Sequence, residues 1–495
     1  MPSSTKTRLI ELQRQIYRQA SRPGGLAAME SPYSLLDAMI NRNNLMAAWE
    51  RVCTTDGART PGLDGEITTE VSGRLGRWLD FITTDLAKGR YRPSEPRWVD
   101  IPKRSGSVET RRIGILTLRD RVVHTAIKQV LEPVLEPQFH RDSYGFRPGR
   151  SVCGALSEVC RTLASGQYTF ALKADVAQCF DTIDHKSLLD RLVEPLADEQ
   201  LHRLVRSIAS ASASGTQGWL RRQVCGLLQG SSLSPLLCNF HLHPLDIALS
   251  ERTESTQQGV RAFRYADDVL ILSRTTSMAR AARRLAGRVL SAGGQRLSSA
   301  KTRLRKIRNG FDWLGVTICP RPSMGGTSSQ FGYIVPDAKV SQMLERIDEI
   351  TEPPSRRIDV NAFKLGKWIV SVNRQLKDWR QAYLFADNAS LVFRTLDEHT
   401  YRRVSDLLYH VTGSKANALR RDFGVKLPRG FRSWSVEGCR LTVLSSLAPQ
   451  NPNYLTRKPE WMRPPKRSKP IASTPNRPLE WRLIQSPNGS DDSAS

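Results

Sequence analysis

Apolar positions along this 495-residue chain fall into a few distinct rhythms, and each rhythm predicts an element. Near the start, Leu9, Ile10, Leu12, Ile16 and Tyr17 recur at helical spacing among basic residues, predicting an amphipathic helix over 5–20 that Gly24 and Gly25 break. A second helical pattern runs from Ser31 to Glu50, through Leu35, Leu36, Met39, Ile40, Leu45 and Trp49. After the turn-rich TPGLDGE (60–66), a third helix over Val71–Lys88 ends at Gly89. The rhythm then changes to alternation. Arg97–Pro102 and Arg111–Leu118 read as strands joined by polar KRSGSVET, a basic hairpin with Lys103, Arg104, Arg111 and Arg112 flanking its tip. Asp120 is placed to cap a helix running to about Leu131, just before Pro133. SYGFRPGRS (143–151) reads as irregular and leads into a helix over 152–165.

Phe170–Val176 alternates as a strand, with Phe170, Leu172 and Ala174 on one face and Lys173 and Asp175 on the other. GLLQGSSLSPLLCNFHLHPLD (226–246) begins as a Gly/Ser turn and becomes a helix from Pro235, with Ser234 as its cap. In FRYADDVLIL (263–272), adjacent carboxylates Asp267 and Asp268 separate two runs rich in β-formers, which reads as a tight hairpin with acids at its turn. A helix over 278–291 and a strand over 310–318 follow. Recurrent hairpins between helices over 97–318 predict a mixed α/β core and exclude a doubly wound parallel sheet. Leu365, Trp368, Ile369, Val372, Leu376, Trp379 and Tyr383 then form a helical stripe, repeated over 390–411, so three helices are expected in 336–412. Between Pro449 and Pro478, eight prolines interleave with Lys and Arg, the composition of an extended basic tail.

Charge narrows the function. Lys and Arg total 74 against 48 Asp and Glu, a formal charge of +26. Neutralising phosphates releases condensed counterions, so such an excess favours a nucleic-acid partner. The rival readings are mere solubility and an anionic membrane surface, the latter disfavoured because the charge is spread along the chain and not gathered on one amphipathic helix. No apolar run approaches the roughly 18–20 residues of a membrane span, and the N-terminus lacks the apolar centre of a signal peptide. The chain therefore reads as cytoplasmic, in cytosol or nucleoid. Eight cysteines without a C-x-x-C pair read as buried reduced thiols, not a zinc site.

A pair of acids in a turn is ordinary turn chemistry, and a strand-end Asp often caps the next turn. An acid closing an apolar strand is nevertheless costly to bury unless paired or metal-bound. Phosphoryl transfer to a primer uses two divalent ions roughly 3.5–4 Å apart. Asp175 beside Asp267 and Asp268 would supply their oxygen ligands, and three carboxylates together repel unless a cation joins them.

Taken together, these segments resemble the bacterial group II intron reverse transcriptase/maturase family over about residues 31–411. YADDVLIL matches its catalytic hairpin, LKADVAQCFDTIDH (172–185) its first aspartate motif and LQGSSLSPLLCNFHLHPLD its helix-bearing motif. TPGLDG (60–65), IPKRSG (101–106), TLRDRVVHTAI (117–127), SYGFRPGRS, LSSAKT (297–302) and FDWLG (311–315) follow the family's order. The resemblance implies an α+β right-hand polymerase. Fingers and palm would occupy 31–335, with an α-helical thumb/maturase region over 336–412. An N-terminal helical extension (1–30) would precede them and a basic Pro-rich tail (413–495) would follow. An HNH endonuclease is not expected, since no His follows His410 and only Cys439 remains.

Carried over by residue, Asp175, Asp267 and Asp268, with the Val176 backbone, would hold two Mg²⁺ ions, Mn²⁺ being a possible substitute. Phe180 would be the steric gate against a ribose 2′-hydroxyl, its plain alternative being a core ring. Gln229 would border the nucleotide pocket. Lys103 and Arg111 would clamp phosphates and Lys301 would protonate the leaving pyrophosphate, each against the alternative of a solvated charge. Two departures stand out: the family usually has proline where this chain has Leu116 and Leu228, which predicts looser loops at the pocket. The implied partners are an RNA template (an intron or another structured RNA), a DNA or RNA primer and dNTPs, with no membrane. Three functions fit. One is an RNA-directed DNA polymerase with intron maturase activity. The second is the same polymerase recruited to antiviral defence or DNA repair. The third, a non-catalytic RNA-binding splicing factor, is disfavoured by the intact YADD.

Overall fold

Helix α1 (Ser4–Ala20) forms where apolar and basic positions alternate at helical spacing, with Leu9 and Ile16 buried in the computed structural model. The structure describes residues 4–22, 34–102, 109–196, 198–212, 225–255, 259–321, 330–352, 362–447 and 458–463. All of these except Arg463 lie in one compact unit, Met1–Met462. The helical pattern expected over 31–50 is interrupted at Asn41. That residue closes α2 (Leu35–Ile40) and opens α3 (Arg42–Cys53), its side chain accepting the Asn43 N–H at 2.9 Å. Short α4 (Thr68–Val71) and α5 (Leu75–Ala87) precede strands β1 (Arg97–Pro102) and β2 (Thr110–Ile115), which pair antiparallel as the expected basic hairpin. Lys103 and Arg104 lie outside the described residues.

Helix α6 (Leu118–Leu135) differs from expectation at both ends. Thr117 caps it, accepting the Asp120 N–H at 3.2 Å. Asp120 itself is fully buried, where its carboxylate accepts the Tyr91 hydroxyl at 2.7 Å and the Ser94 N–H at 2.9 Å. Pro133 lies inside the last turn instead of stopping the helix. Its missing N–H leaves the Gln129 carbonyl free, and that carbonyl accepts Gln13 Nε2 from α1 at 2.8 Å. The lost helical bond becomes a tertiary one.

Next come α7 (Val152–Leu163), β3 (Phe170–Asp175), α8 (His185–Leu196), α9 (Glu199–Ser212) and α10 (Ser234–Ser255). They are followed by β4 (Val260–Tyr265), β5 (Asp268–Ser273), α11 (Thr276–Ala292) and β6 (Arg303–Lys306). The strands form one antiparallel sheet in the order β4-β5-β3-β6. Period-two alternation divides its residues between two cores. Leu172, Ala174, Val269 and Ile271 enter a core shared with α6, α8, α10 and α11. Ala171, Phe263, Leu270 and Leu272 enter a second core on the opposite face. That second core is completed by strands β7 (Phe311–Trp313), β8 (Val316–Pro320) and β9 (Phe331–Ile334), and by helices α12 (Asp337–Ile350), α13 (Ala362–Tyr383) and α14 (Ala389–Thr412). The segment 310–318, expected as a single strand, is a β7–β8 hairpin turning at Leu314 (φ 49°) and Gly315 (φ 82°).

Residues 413–447 do not form the tail expected there. They fold as α15 (Ala416–Phe423) and a three-stranded sheet of β10 (Gly424–Lys426), β11 (Arg432–Val436) and β12 (Cys439–Arg440). The reason is apolar content: Trp434, Val436, Leu441 and Leu444 are all buried. Trp434 stacks on Tyr401 at 4.8 Å and donates its Nε1–H to the Tyr401 carbonyl at 3.0 Å. All eight cysteines are free; Cys179 and Cys238 are buried as expected, whereas Cys53 is exposed.

Candidate active site

The FRYADD hairpin reverses through two residues, Ala266 and Asp267. Ala266 sits at φ 57°, a left-handed conformation that a side chain adopts only under constraint. The constraint is visible. Beneath the turn lies Arg264, 2% exposed. Its Nε and Nη2 donate to Asp246 at 2.7 and 2.6 Å, and its Nη1 donates to the Ala266 carbonyl at 2.9 Å and to Asn239 Oδ1 at 2.8 Å. A buried guanidinium is tolerable only when paired and fully hydrogen-bonded, as here.

SYGFRPG braces the turn from the other side. The Tyr144 N–H donates to the Arg264 carbonyl at 2.8 Å, and the Arg264 N–H to the Asp142 carbonyl at 3.0 Å. Asn239 Nδ2 donates to the Gly145 carbonyl at 2.6 Å. Gly145 approaches so closely that a Cβ there would lie 2.2 Å from the Ala266 nitrogen, which explains the glycine. Arg147 ties the loop down through a buried ion pair with Glu136 at 2.7 Å.

Strand pairing brings the predicted carboxylates together, since Asp175 lies directly across from Asp268 and the Val176 N–H donates to the Asp267 carbonyl at 3.1 Å. The side chains, however, are turned toward cations. Lys301 Nζ lies 2.8 Å from Asp175 Oδ2, and Lys173 Nζ lies 3.5 Å from Asp268 Oδ2. Burial raises the Asp267 carboxyl above its usual range; Asp175 adds to this, while Lys301 and Arg111 oppose it. Burial also pushes Asp268 up to about 6, with Lys173 opposing and Asp175 and Asp267 adding. The Lys301 ammonium is held above its usual value, first by its hydrogen bond to Asp175. Among the described residues, no group of three or more His, Cys, Asp or Glu is arranged to hold a metal ion. The site still fits one. Asp268 Oδ1 is buried with no hydrogen-bond partner, and hard carboxylate oxygens are what Mg²⁺ prefers.

Phe180 occupies a short 3₁₀ turn after Gln178, itself at φ 47°. Its ring is partly buried against the core and meets Phe146 edge-on at 6.3 Å. Phe146, at φ 57° and 47% exposed, was not singled out by the sequence. Gln229 Nε2 donates to Asp181 Oδ1 at 3.2 Å, and its carbonyl accepts the Gly114 N–H of the basic hairpin at 2.9 Å. Leu116 and Leu228, which stand where the family usually has proline, are both buried, at 4% and 2% exposure. Leu228 packs against the basic hairpin, where a Cβ on Gly114 would lie 2.4 Å from its Cδ1. Arg111 is exposed on β2, and its charge reaches Asp267.

The family model described as reverse transcriptase (RNA-dependent DNA polymerase) matches residues 101–318. Protein YkfC of Escherichia coli (strain K12) is 32% identical over 305 residues, covering 55% of this chain and 79% of that protein. The chain belongs to the reverse transcriptase family. Group II intron relatives match too, as the motifs implied. The group II intron-encoded protein LtrA of Lactococcus lactis subsp. cremoris is 30% identical over 200 residues, 40% of this chain and 32% of that protein. The putative COX1/OXI3 intron 1 protein of Saccharomyces cerevisiae is 30% identical over 213 residues, 43% of this chain and 25% of that protein. The reverse transcriptase thus aligns with a third or less of these two intron-encoded relatives. No helix among its described residues is long and apolar enough to cross a membrane.

Proposed function

We propose that this reverse transcriptase extends a primer 3′-hydroxyl with deoxynucleotides on an RNA template by two-metal phosphoryl transfer. The observation that carries the reading is the β3–β5 register, which sets Asp175 across from Asp268 and leaves Asp268 Oδ1 without a partner. Asp175, Asp267, Asp268 and the Val176 backbone would hold two Mg²⁺ ions, or Mn²⁺ in their place. When bound, the ions supply activation of the primer hydroxyl and neutralisation of the leaving pyrophosphate's charge.

The chain's own groups do the rest. Lys301 and Lys173 now neutralise Asp175 and Asp268, and must release them for those carboxylates to act as ligands. Lys301, once free, is a charged donor beside the departing pyrophosphate. Phe180 and Phe146 form an aromatic wall against which a 2′-hydroxyl would clash. Gln229 fixes the floor of the nucleotide pocket to the basic hairpin, where Arg111 reaches phosphate. In this reading the sheet and its helices are the palm, the β1–β2 hairpin belongs to the fingers, and α12–α14 form the thumb. Two relatives are intron proteins by name, which supports reading the template as an intron RNA, with maturase activity in the thumb region as the family resemblance implies.

Primer extension on an RNA template tests this reading. Asp267→Asn is expected to abolish Mg²⁺-dependent synthesis while template affinity stays within a few-fold. Retained synthesis would remove the carboxylate assignment, and lost affinity would mean that Asp267 serves the fold.

A further inference from the structure

Helix α11 has four arginines and no acidic residue in seventeen positions. Its Ala279, Ala282, Ala286 and Leu290 are buried, whereas Arg280, Arg283, Arg284 and Arg288 are all exposed. At 3.6 residues per turn the four guanidinium stems fall within an arc of roughly 140° along about 12 Å of helix. None of the four has an ion-pair partner among the described residues. Arg280 and Arg284, and then Arg284 and Arg288, are like charges four residues apart, an arrangement that weakens a helix. A stripe held at a cost to its own helix, with no carboxylate to offset it, points to an external polyanion.

The stripe faces away from the candidate catalytic cleft. Helix α11 packs on the sheet face of Leu172, Ala174, Val269 and Ile271, whereas Asp175 and Asp268 alternate onto the other face. Its apolar side is spent on the core, and none of the large exposed apolar residues lies on α11. That argues against a lipid surface, which needs an apolar face to bury. Guanidinium forks match phosphate oxygens, and a stripe about 12 Å long is enough to meet several phosphates of a duplex whose strands each carry one per roughly 3.4 Å of axis.

We propose that the outer face of α11 is a second nucleic-acid site, gripping the sugar-phosphate backbone of an RNA that runs outside the cleft. The choice of RNA over DNA rests on the RNA-directed reading above; the stripe itself does not.

The test uses the full chain and a variant with Arg280, Arg283, Arg284 and Arg288 all changed to Gln. The cleft is first saturated with a short unlabelled primer–template. Binding of a labelled RNA duplex, of the same sequence as DNA, and of anionic vesicles of phosphatidylglycerol and phosphatidylcholine is then followed against salt. The variant is expected to show a salt slope for RNA shallower by up to about 3.6, at roughly 0.9 per phosphate contact. Its extension rate on the short saturating template should stay within twofold, and its melting temperature should hold or rise. Running the same comparison in the Asp267→Asn background separates this proposal from the catalytic one, because binding there needs no synthesis. An unchanged slope for RNA overturns the site. Loss confined to DNA overturns the choice of RNA, and loss confined to vesicles makes the face a membrane contact. A matching fall in extension rate on the short template would place the arginines in the cleft instead.

Discussion

Gly145→Ala is the sharpest probe of how the carboxylates are held. The new Cβ would lie 2.2 Å from the Ala266 nitrogen and 2.9 Å from both the Ala266 Cα and the Tyr265 carbonyl carbon, all of them backbone atoms. Ordinary contact begins at 3.4 Å, so the loop and the turn must separate by roughly 1 Å. Neither yields freely. The loop is pinned by Asn239 at 2.6 Å and by the Tyr144–Arg264 backbone bond at 2.8 Å, and the turn by Arg264 at 2.9 Å. Overpacking of this kind costs about 1–3 kcal/mol, which an ordinary domain with some 5–15 kcal/mol in hand survives. A shift of about 1 Å at reacting groups costs on the order of 100-fold in rate. Single-turnover primer extension at saturating dNTP should therefore fall by about two orders of magnitude, with melting lowered only modestly and template affinity within a few-fold. Gly287→Ala on α11 is the control. A Cβ there meets nothing within 4 Å, so it should be neutral or stabilise the helix by up to about 1 kcal/mol. Full activity and unchanged melting in Gly145→Ala would refute the idea that this close approach sets the position of Asp267.

Phe180→Ala should admit ribonucleotides, read as the ratio of rNTP to dNTP incorporation; an unchanged ratio would move the gate to another residue, Phe146 first. Asp246→Ala leaves Arg264 buried without its carboxylate partner and should cost about 3–5 kcal/mol in denaturant unfolding, against which a loss below 1 kcal/mol would count. Burial holds His124 neutral down to about 4, against 6.5 when unfolded. Protonation therefore favours the unfolded chain as pH falls from 6.5 towards 4, and stability present above 6.5 is lost across that window. At ~1.4 kcal/mol per pH unit, that single residue accounts for about 3 kcal/mol. The pH dependence of unfolding should flatten by that order in His124→Gln, and parallel profiles for the two proteins would refute it.

The linear chain marked many of the elements and the residues to weigh as chemistry. Alternation placed Asp175 at the end of an apolar strand and the two acids of YADD at a turn, because strand periodicity is a local property and two-residue hairpins have local signatures. Helical stripes located α13 and α14 for the same reason. What the sequence could not supply was which distant groups meet. Arg264, Asp246, Asn239 and Gly145 are separated by as many as 119 positions, and only the packing of α10 and the SYGF loop against the β4–β5 turn makes them one brace. Pro133 reads locally as a stop, yet the helix continues because Gln13 of α1 takes up the carbonyl it frees. Residues 413–447 belong to a basic stretch, but a few buried apolar side chains dock them on α13 and α14, where burial outweighs composition. A solvated charge is the plain alternative for Lys301 in the sequence, and the tertiary structure turns it, with Lys173 of β3, onto the carboxylates. Close packing among segments far apart in sequence decides which of their groups act on one another, and here strand pairing sets Asp175 across from Asp268 beside the turn that carries Asp267.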